Sequence, residues 1–167
     1  MNLIEIDRLV REVGLGLGAD RCWLYARDPQ RRAGIALVRW LRAPGVPDVP
    51  AELHRWTPEA ADLATIDPLF ARALTGHPVD VIDDAETGPC NAELERALGH
   101  RAFIHLNLHA DGVLWGTLQP GMTATARRWT DAERDRLLAM RPRLTRLVAG
   151  SPTGSHWRPY TFNHPRA

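Results

Sequence analysis

Apolar and polar positions alternate along this chain with two distinct periods, and the changes of period mark out its elements. Leu3, Ile6, Val10, Val13 and Leu17 recur at spacings of three and four, one apolar stripe of a helix. Asn2 and Glu5 form a capping box at its start, and Gly14, Gly16 and Gly18 close it. The near-heptad stripe predicts packing on a sheet, with pairing to a second copy as the alternative. Two strand-like runs follow, 22–26 and 35–41, joined by the turn residues Asp28-Pro29-Gln30; they predict an antiparallel pair.

Residues 43–66 lose this regularity, with Pro44, Pro47, Pro50 and Pro58 spread through them. We expect a long excursion there, of the lid or binding-loop type, with one short helix starting at Thr57-Pro58. Asp67-Pro68 opens a helix through Leu69, Phe70, Ala73 and Leu74 that ends at Gly76. A short strand at 78–82 and a helix opened by Gly88-Pro89 and closed by Gly99 come next. The runs 102–109 and 113–119 flank Ala110-Asp111-Gly112, and Asp-Gly between alternating residues is a strong hairpin signal. Thr130 and Glu133 form a second capping box, opening a helix through Leu137, Leu138, Leu144, Leu147 and Val148 that Pro142 should kink or interrupt. Residues 1–150 therefore read as one α+β domain around a central, mostly antiparallel sheet of five or six strands. Residues 151–167 read as a tail, with Trp157, Tyr160 and Phe162 able to dock it.

Strand parity sorts the side chains. Ala102, Ile104, Leu106 and Leu108 make an apolar face suited to helices; Phe103, His105, Asn107 and His109 make the opposite one. Trp115, Thr117 and Gln119 are expected on that second face, with Leu114, Gly116 and Leu118 on the first. An apolar-walled pocket with a few hydrogen-bonding groups follows, lined by Phe103, His105, Asn107, Trp115 and Thr117. His105 and His109 stand about 13 Å apart along an extended strand, too far to share one metal ion.

Composition removes several chemistries. All 21 basic residues are arginine, so Schiff-base catalysis and a phosphate-loop lysine are excluded. A net charge of +1 gives no global attraction for nucleic acid or anionic membrane. Cys22 and Cys90 form no CxxC pair, which points to a reducing compartment without a disulfide framework. With no signal-peptide-like or spanning run, the expected location is cytoplasmic. Arg127, Arg128, Arg134 and Arg136 interleave with Asp131, Glu133 and Asp135, as on a solvated helix face.

Five strings, in order, carry a family resemblance: 18–22 (GADRC), 76–84 (GHPVDVIDD), 97–101 (ALGHR), 111–118 (DGVLWGTL) and 128–133 (RWTDAE). Together they resemble the GAF family over about residues 1–149. The resemblance implies terminal helices on one sheet face and a ligand pocket under short helices on the other. It implies a stand-alone sensory module, not an enzyme, that signals through a homodimer of its terminal helices or a separate output protein. Phytochrome-like members hold a bilin on a cysteine nine residues before a helix-ending glycine, the spacing of Cys90 and Gly99. Cys90 is therefore the attachment site in an alternative bilin-binding reading. Against it, Asn91 stands where those members have histidine, Gly121 replaces a second histidine, and Ile66-Asp67-Pro68 permutes their Asp-Ile-Pro. A haem on His105 or His109 and an interaction module without ligand stay open. The motif by which cyclic-nucleotide members resemble one another contains a lysine this chain lacks, which disfavours cyclic GMP, and the methionine sulfoxide reductases of the family need a second pocket cysteine.

Overall fold

The structure, a computed structural model, describes residues 2–149; the expected 151–167 tail and its aromatic residues lie outside the described residues. Helix α1 spans Leu3–Gly16, and Asn2 caps it by accepting the Glu5 N–H. Strands β1 (Arg21–Asp28) and β2 (Ala33–Leu41) follow, their turn held by Asp28 Oδ1, which accepts the N–H groups of Gln30 and Arg31.

The excursion differs from expectation. Thr57–Pro58 is not a helix start but strand β3, a two-residue edge on β2. Proline suits an edge strand because it has no N–H to give. The helical pieces lie to either side, a 3-10 turn at Ala51–His54 and α2 at Leu63–Ile66. Helix α3 (Pro68–Leu74) starts where the Asp67-Pro68 signal places it, with Asp67 Oδ1 accepting from Leu69 and Phe70.

Strand β4 spans Val79–Ile82. Helix α4 (Ala92–Leu98) begins later than Gly88-Pro89, because Asn91 is the residue whose side chain caps it. Gly99 ends it with φ +76°, the left-handed conformation glycine tolerates. Strands β5 (Ala102–Ala110) and β6 (Val113–Met122) turn at Asp111-Gly112, both with positive φ, as a type I′ hairpin requires. Helix α5 (Asp131–Ala149) opens on the reciprocal Thr130–Glu133 box and runs past Pro142 without interruption. An interior proline costs about 3 kcal/mol, which burial of Leu137, Leu144 and Val148 offsets at roughly 1.5–3 kcal/mol each.

The six strands form one wholly antiparallel sheet in the order β3-β2-β1-β6-β5-β4. One face packs on α1 and α5, where Ile6, Val10, Leu24, Ile104, Leu106, Leu108, Leu118 and Leu144 build the main core. Glu5 pairs with Arg143 at 2.6 Å and ties the two terminal helices together. The other face carries α2, α3 and α4 over smaller clusters around Leu69, Ile82 and Phe103. Among the described residues no helix is long and apolar enough to cross a membrane.

Candidate functional site

A cavity of about 180 Å³ lies between the second sheet face and the short helices. Strand β1 supplies much of its floor. Cys22, Leu24 and Ala26 point into the main core, so Trp23, Tyr25 and Arg27 face the cavity. His105 of β5 and Thr117 and Gln119 of β6 complete the floor, Gln119 donating to Thr117 Oγ1 at 2.8 Å. The roof comes from α2, α3 and α4 through Leu63, Phe70, Leu94 and Leu98, with Asp67 and Glu95 the carboxyl groups among them. Asn91 holds this roof together: its Nδ2 donates to Ile66 O at 2.8 Å, seating the start of α3 beside α4.

Each polar group on the cavity has a defined state. Arg27 is clamped by both oxygens of the buried Glu59, at 2.5 and 3.1 Å, with its guanidinium 5.6 Å from the Phe70 ring centroid. Burial pushes the His105 imidazole down to about 3, so it is neutral at ordinary pH. Its Nδ1 is buried and forms no hydrogen bond, although Asn107 lies two residues along the same face. Burial pushes Asp67 up to about 6; the α3 N–H groups oppose this and Glu95 adds to it. Burial likewise pushes Glu95 up to about 8, with Arg21 pulling back.

Behind the wall lies a buried relay. Trp23 donates to His100 Nε2 at 3.1 Å, His100 Nδ1 meets Glu95 at 2.8 Å, and the His100 ring stacks on Phe103 at 4.4 Å. Arg21, fully buried, donates to Pro47 O and Leu98 O and so links the proline-rich segment to the end of α4.

The residues expected to line the pocket are not all brought together. His105 and Thr117 line it. Phe103 lies on the same sheet face but packs under α3 with Leu69, Ile82 and Ala85. Asn107 shares that face and donates to His77 O at 2.8 Å, outside the cavity. Trp115 is a correction: it packs against the core of the terminal helices. His109 pairs with Leu114 while Leu108 pairs with Gly116, so Trp115 is the extra residue of a β-bulge. The bulge reverses parity on its hairpin side, which also brings Leu114 to the cavity, against Phe70. Cys90 stands apart, half-buried beside the Phe103 cluster, its Sγ 3.5 Å from Ala85 O.

Trp23, Tyr25, Arg27, Asp67 and Glu95 are not among the pocket residues expected from sequence, where Asp67 figures only as a helix cap and in the permuted Ile66-Asp67-Pro68. Alternation within 22–27 was the signal available for the first three. Nothing local marks Glu95 as buried. A second cleft, of about 320 Å³, opens beside Ala92, Arg96 and Thr123, but its Arg101 is already paired with Asp84 and Glu86. No group of three or more His, Cys, Asp or Glu side chains fit to hold a metal ion occurs among the described residues.

The GAF domain pattern matches residues 5–140. No curated protein matches the chain. Among solved structures it is similar to the blue-light absorbing form of the PixJ GAF domain of Thermosynechococcus elongatus. That likeness has 20% identity and a TM-score of 0.65, over 87% of this chain and 85% of that one. It is also similar to the phycocyanobilin-bound GAF domain of a cyanobacterial phytochrome, at 20% identity and a TM-score of 0.69, over 94% of this chain and 90% of that one. At such identities the likeness shows a shared fold.

Proposed function

The chain belongs to the GAF domain family, and on that premise we propose that it is a sensory or regulatory module whose sheet cavity binds a compact small molecule. The observation that carries this is the cavity itself, roofed by apolar side chains and floored by Trp23, His105 and Thr117. Apolar walls with a few fixed polar groups are the usual form of a small-molecule site. An engineered cavity of about 150 Å³ takes one benzene, so 180 Å³ suits a ligand of one or two rings.

That scale bears on the tetrapyrrole readings. A bilin or haem carries four pyrrole-type rings, and these residues do not fit one. Cys90 does not line the cavity, and burial together with the charges of Glu95 and Asp67 pushes its thiol up to about 11, away from a thiolate. Asn91 is occupied in capping α4. Both nitrogens of His109 are engaged, by Ala73 O at 2.7 Å and Arg141 at 2.9 Å, leaving it no lone pair for iron, while His105, whose Nδ1 has no partner, lines a cavity of about 180 Å³, too small for a macrocycle.

The reading is one of binding without catalysis. Cys22 is fully buried and burial raises its pKa far above the ordinary thiol range, so neither cysteine is an activated nucleophile. Output passes to a homodimer or a separate protein, and α1 supports this by exposing Ile4 and Leu15, about three turns apart on one side. Ligand-observed NMR with a library of one- and two-ring compounds tests the reading, repeated on Leu94→Trp, which fills the cavity. Compounds that bind the wild type and lose binding in the variant are expected. A library without any such compound would overturn the proposal.

A further inference from the structure

Resting on the reading of this cavity as a binding site, we infer that its ligand is a small apolar amine. Its protonated nitrogen lies between Asp67 and Glu95, and its ring or chain lies against Trp23, Tyr25 and Phe70. The charge on the lining decides the class. Arg27 is the one arginine among the described lining residues, and Glu59 clamps it through both oxygens, so that pair presents no net charge. His105 is neutral.

The two remaining carboxyl groups have no basic partner at the cavity. Asp67 spends Oδ1 on the first N–H groups of α3, and Glu95 spends Oε2 on His100. Arg72, whose charge acts on Asp67, is committed to Asp80 at 2.8 Å and to Pro89 O. Arg21, whose charge acts on Glu95, does not line the cavity and donates its terminal nitrogens to Pro47 O and Leu98 O. An acidic ligand would bring a negative group beside two carboxyl groups already pushed toward their protonated forms, and a neutral one would do nothing to favour their ionisation.

The walls agree with this choice. Trp23 and Tyr25 meet edge to face, at 78° with centroids 6.3 Å apart, and aromatic rings attract a desolvated cation as well as apolar carbon. The Asn91–Ile66 hydrogen bond sets the start of α3 alongside α4, so the two carboxyl groups face one space. An ammonium group entering it favours the ionised form of both. Binding therefore releases protons and strengthens as pH rises from about 6 to about 8.

Three probes of equal ring and chain separate the possibilities: phenethylamine, phenethyl alcohol and hydrocinnamate, each titrated calorimetrically. Phenethylamine is expected to bind at least about tenfold tighter than the alcohol, with no detectable binding of hydrocinnamate. Its binding heat should depend on the ionisation enthalpy of the buffer. Asp67→Asn retains an N-cap residue and should weaken the amine about tenfold while leaving the alcohol unchanged; Glu95→Gln gives the same comparison from α4. Alcohol or acid binding as tightly as the amine would overturn this inference and leave the cavity reading standing. So would failure of all three probes when other ring compounds bind the wild type but not Leu94→Trp. Failure of every compound would take down both.

Discussion

His100 Nδ1 stands 2.8 Å from Glu95 Oε2, with both side chains almost wholly buried. Trp23 donates its indole N–H to the other ring nitrogen, and an indole can only donate. His100 Nε2 must therefore accept, which places the proton of the neutral ring on Nδ1 and aims it at Glu95. Protonating the ring would cost the Trp23 bond. Burial, with the Arg21 charge added, already holds His100 well below the ordinary histidine range.

Glu95 sets the alkaline edge of stability. Its carboxyl is raised to about 8 in the folded chain, against about 4.3 in an unfolded one. Between those values the native state holds more protons, so its contribution is complete below the unfolded value and lost as pH rises through about 8. The slope for one group reaches at most about 1.4 kcal/mol per pH unit. On the acid side His105, lowered to about 3, works in the opposite sense: stability falls as pH drops below about 6.5, because the unfolded chain then binds the extra proton. Glu95→Gln keeps an oxygen for His100 and should flatten the alkaline limb. Urea unfolding from about pH 6 to about pH 9 measures it, and an unchanged slope would count against Glu95 as the titrating group.

Trp23→Phe isolates the relay. The ring stays apolar and aromatic, but His100 Nε2 loses its donor, at a cost of about 1–3 kcal/mol. Nitrogen NMR of the wild type should show the Nδ1–H tautomer, with no protonation in mildly acidic buffer. The variant should lose that fixed tautomer and titrate at higher pH. A wild-type ring carrying its proton on Nε2 would refute the assignment.

How far the sequence could be read depends on which interactions are local. The Asp111-Gly112 hairpin, the Asp67-Pro68 start and the Thr130–Glu133 box are each fixed within a few residues, and each stands where expected. Parity along 102–108 also held, because β5 alternates without a bulge there: Ile104, Leu106 and Leu108 reach the terminal helices while Phe103, His105 and Asn107 turn away. Parity failed at Trp115, where one inserted residue reverses the count. Gly116 was the warning, since a glycine inside a strand often marks a bulge or a close approach. A Cβ there would lie 2.2 Å from Tyr25 O. The carboxyl groups of the cavity were out of reach for a different reason. Asp67 and Glu95 share it only through the docking of α3 and α4, and that docking rests on contacts between residues far apart in sequence, such as Asn91 with Ile66.

Gly14→Ala tests how α1 sits on the sheet. In an exposed helix interior this exchange stabilises by about 1 kcal/mol. Here the added Cβ would lie 2.2 Å from Trp40 Cε3, so the sign reverses. We expect a loss of about 1–3 kcal/mol, the usual cost of overpacking, in thermal or urea unfolding. A stabilised variant would mean that α1 stands off β2. Shortening the ring in the double variant Gly14→Ala, Trp40→Leu should restore part of the loss relative to Trp40→Leu alone.

Cys90 stands nine residues before Gly99, the spacing that invites the bilin reading. With its thiol raised to about 11, little thiolate is present near neutrality. Alkylation of the folded protein should run at least about tenfold slower than that of free cysteine. Cys22, fully buried, should be slower still, and both should react at ordinary rates in urea. Cys90 lies outside the cavity lining, so Cys90→Ala should leave ring-compound affinity within about twofold. Co-expression with a bilin-producing pathway completes the case. The purified protein is expected to show no visible absorption band, since about 180 Å³ does not admit an open-chain tetrapyrrole. A covalent visible band that disappears in Cys90→Ala would reverse this conclusion and show that α3 and α4 open much further around a ligand than their packing here implies.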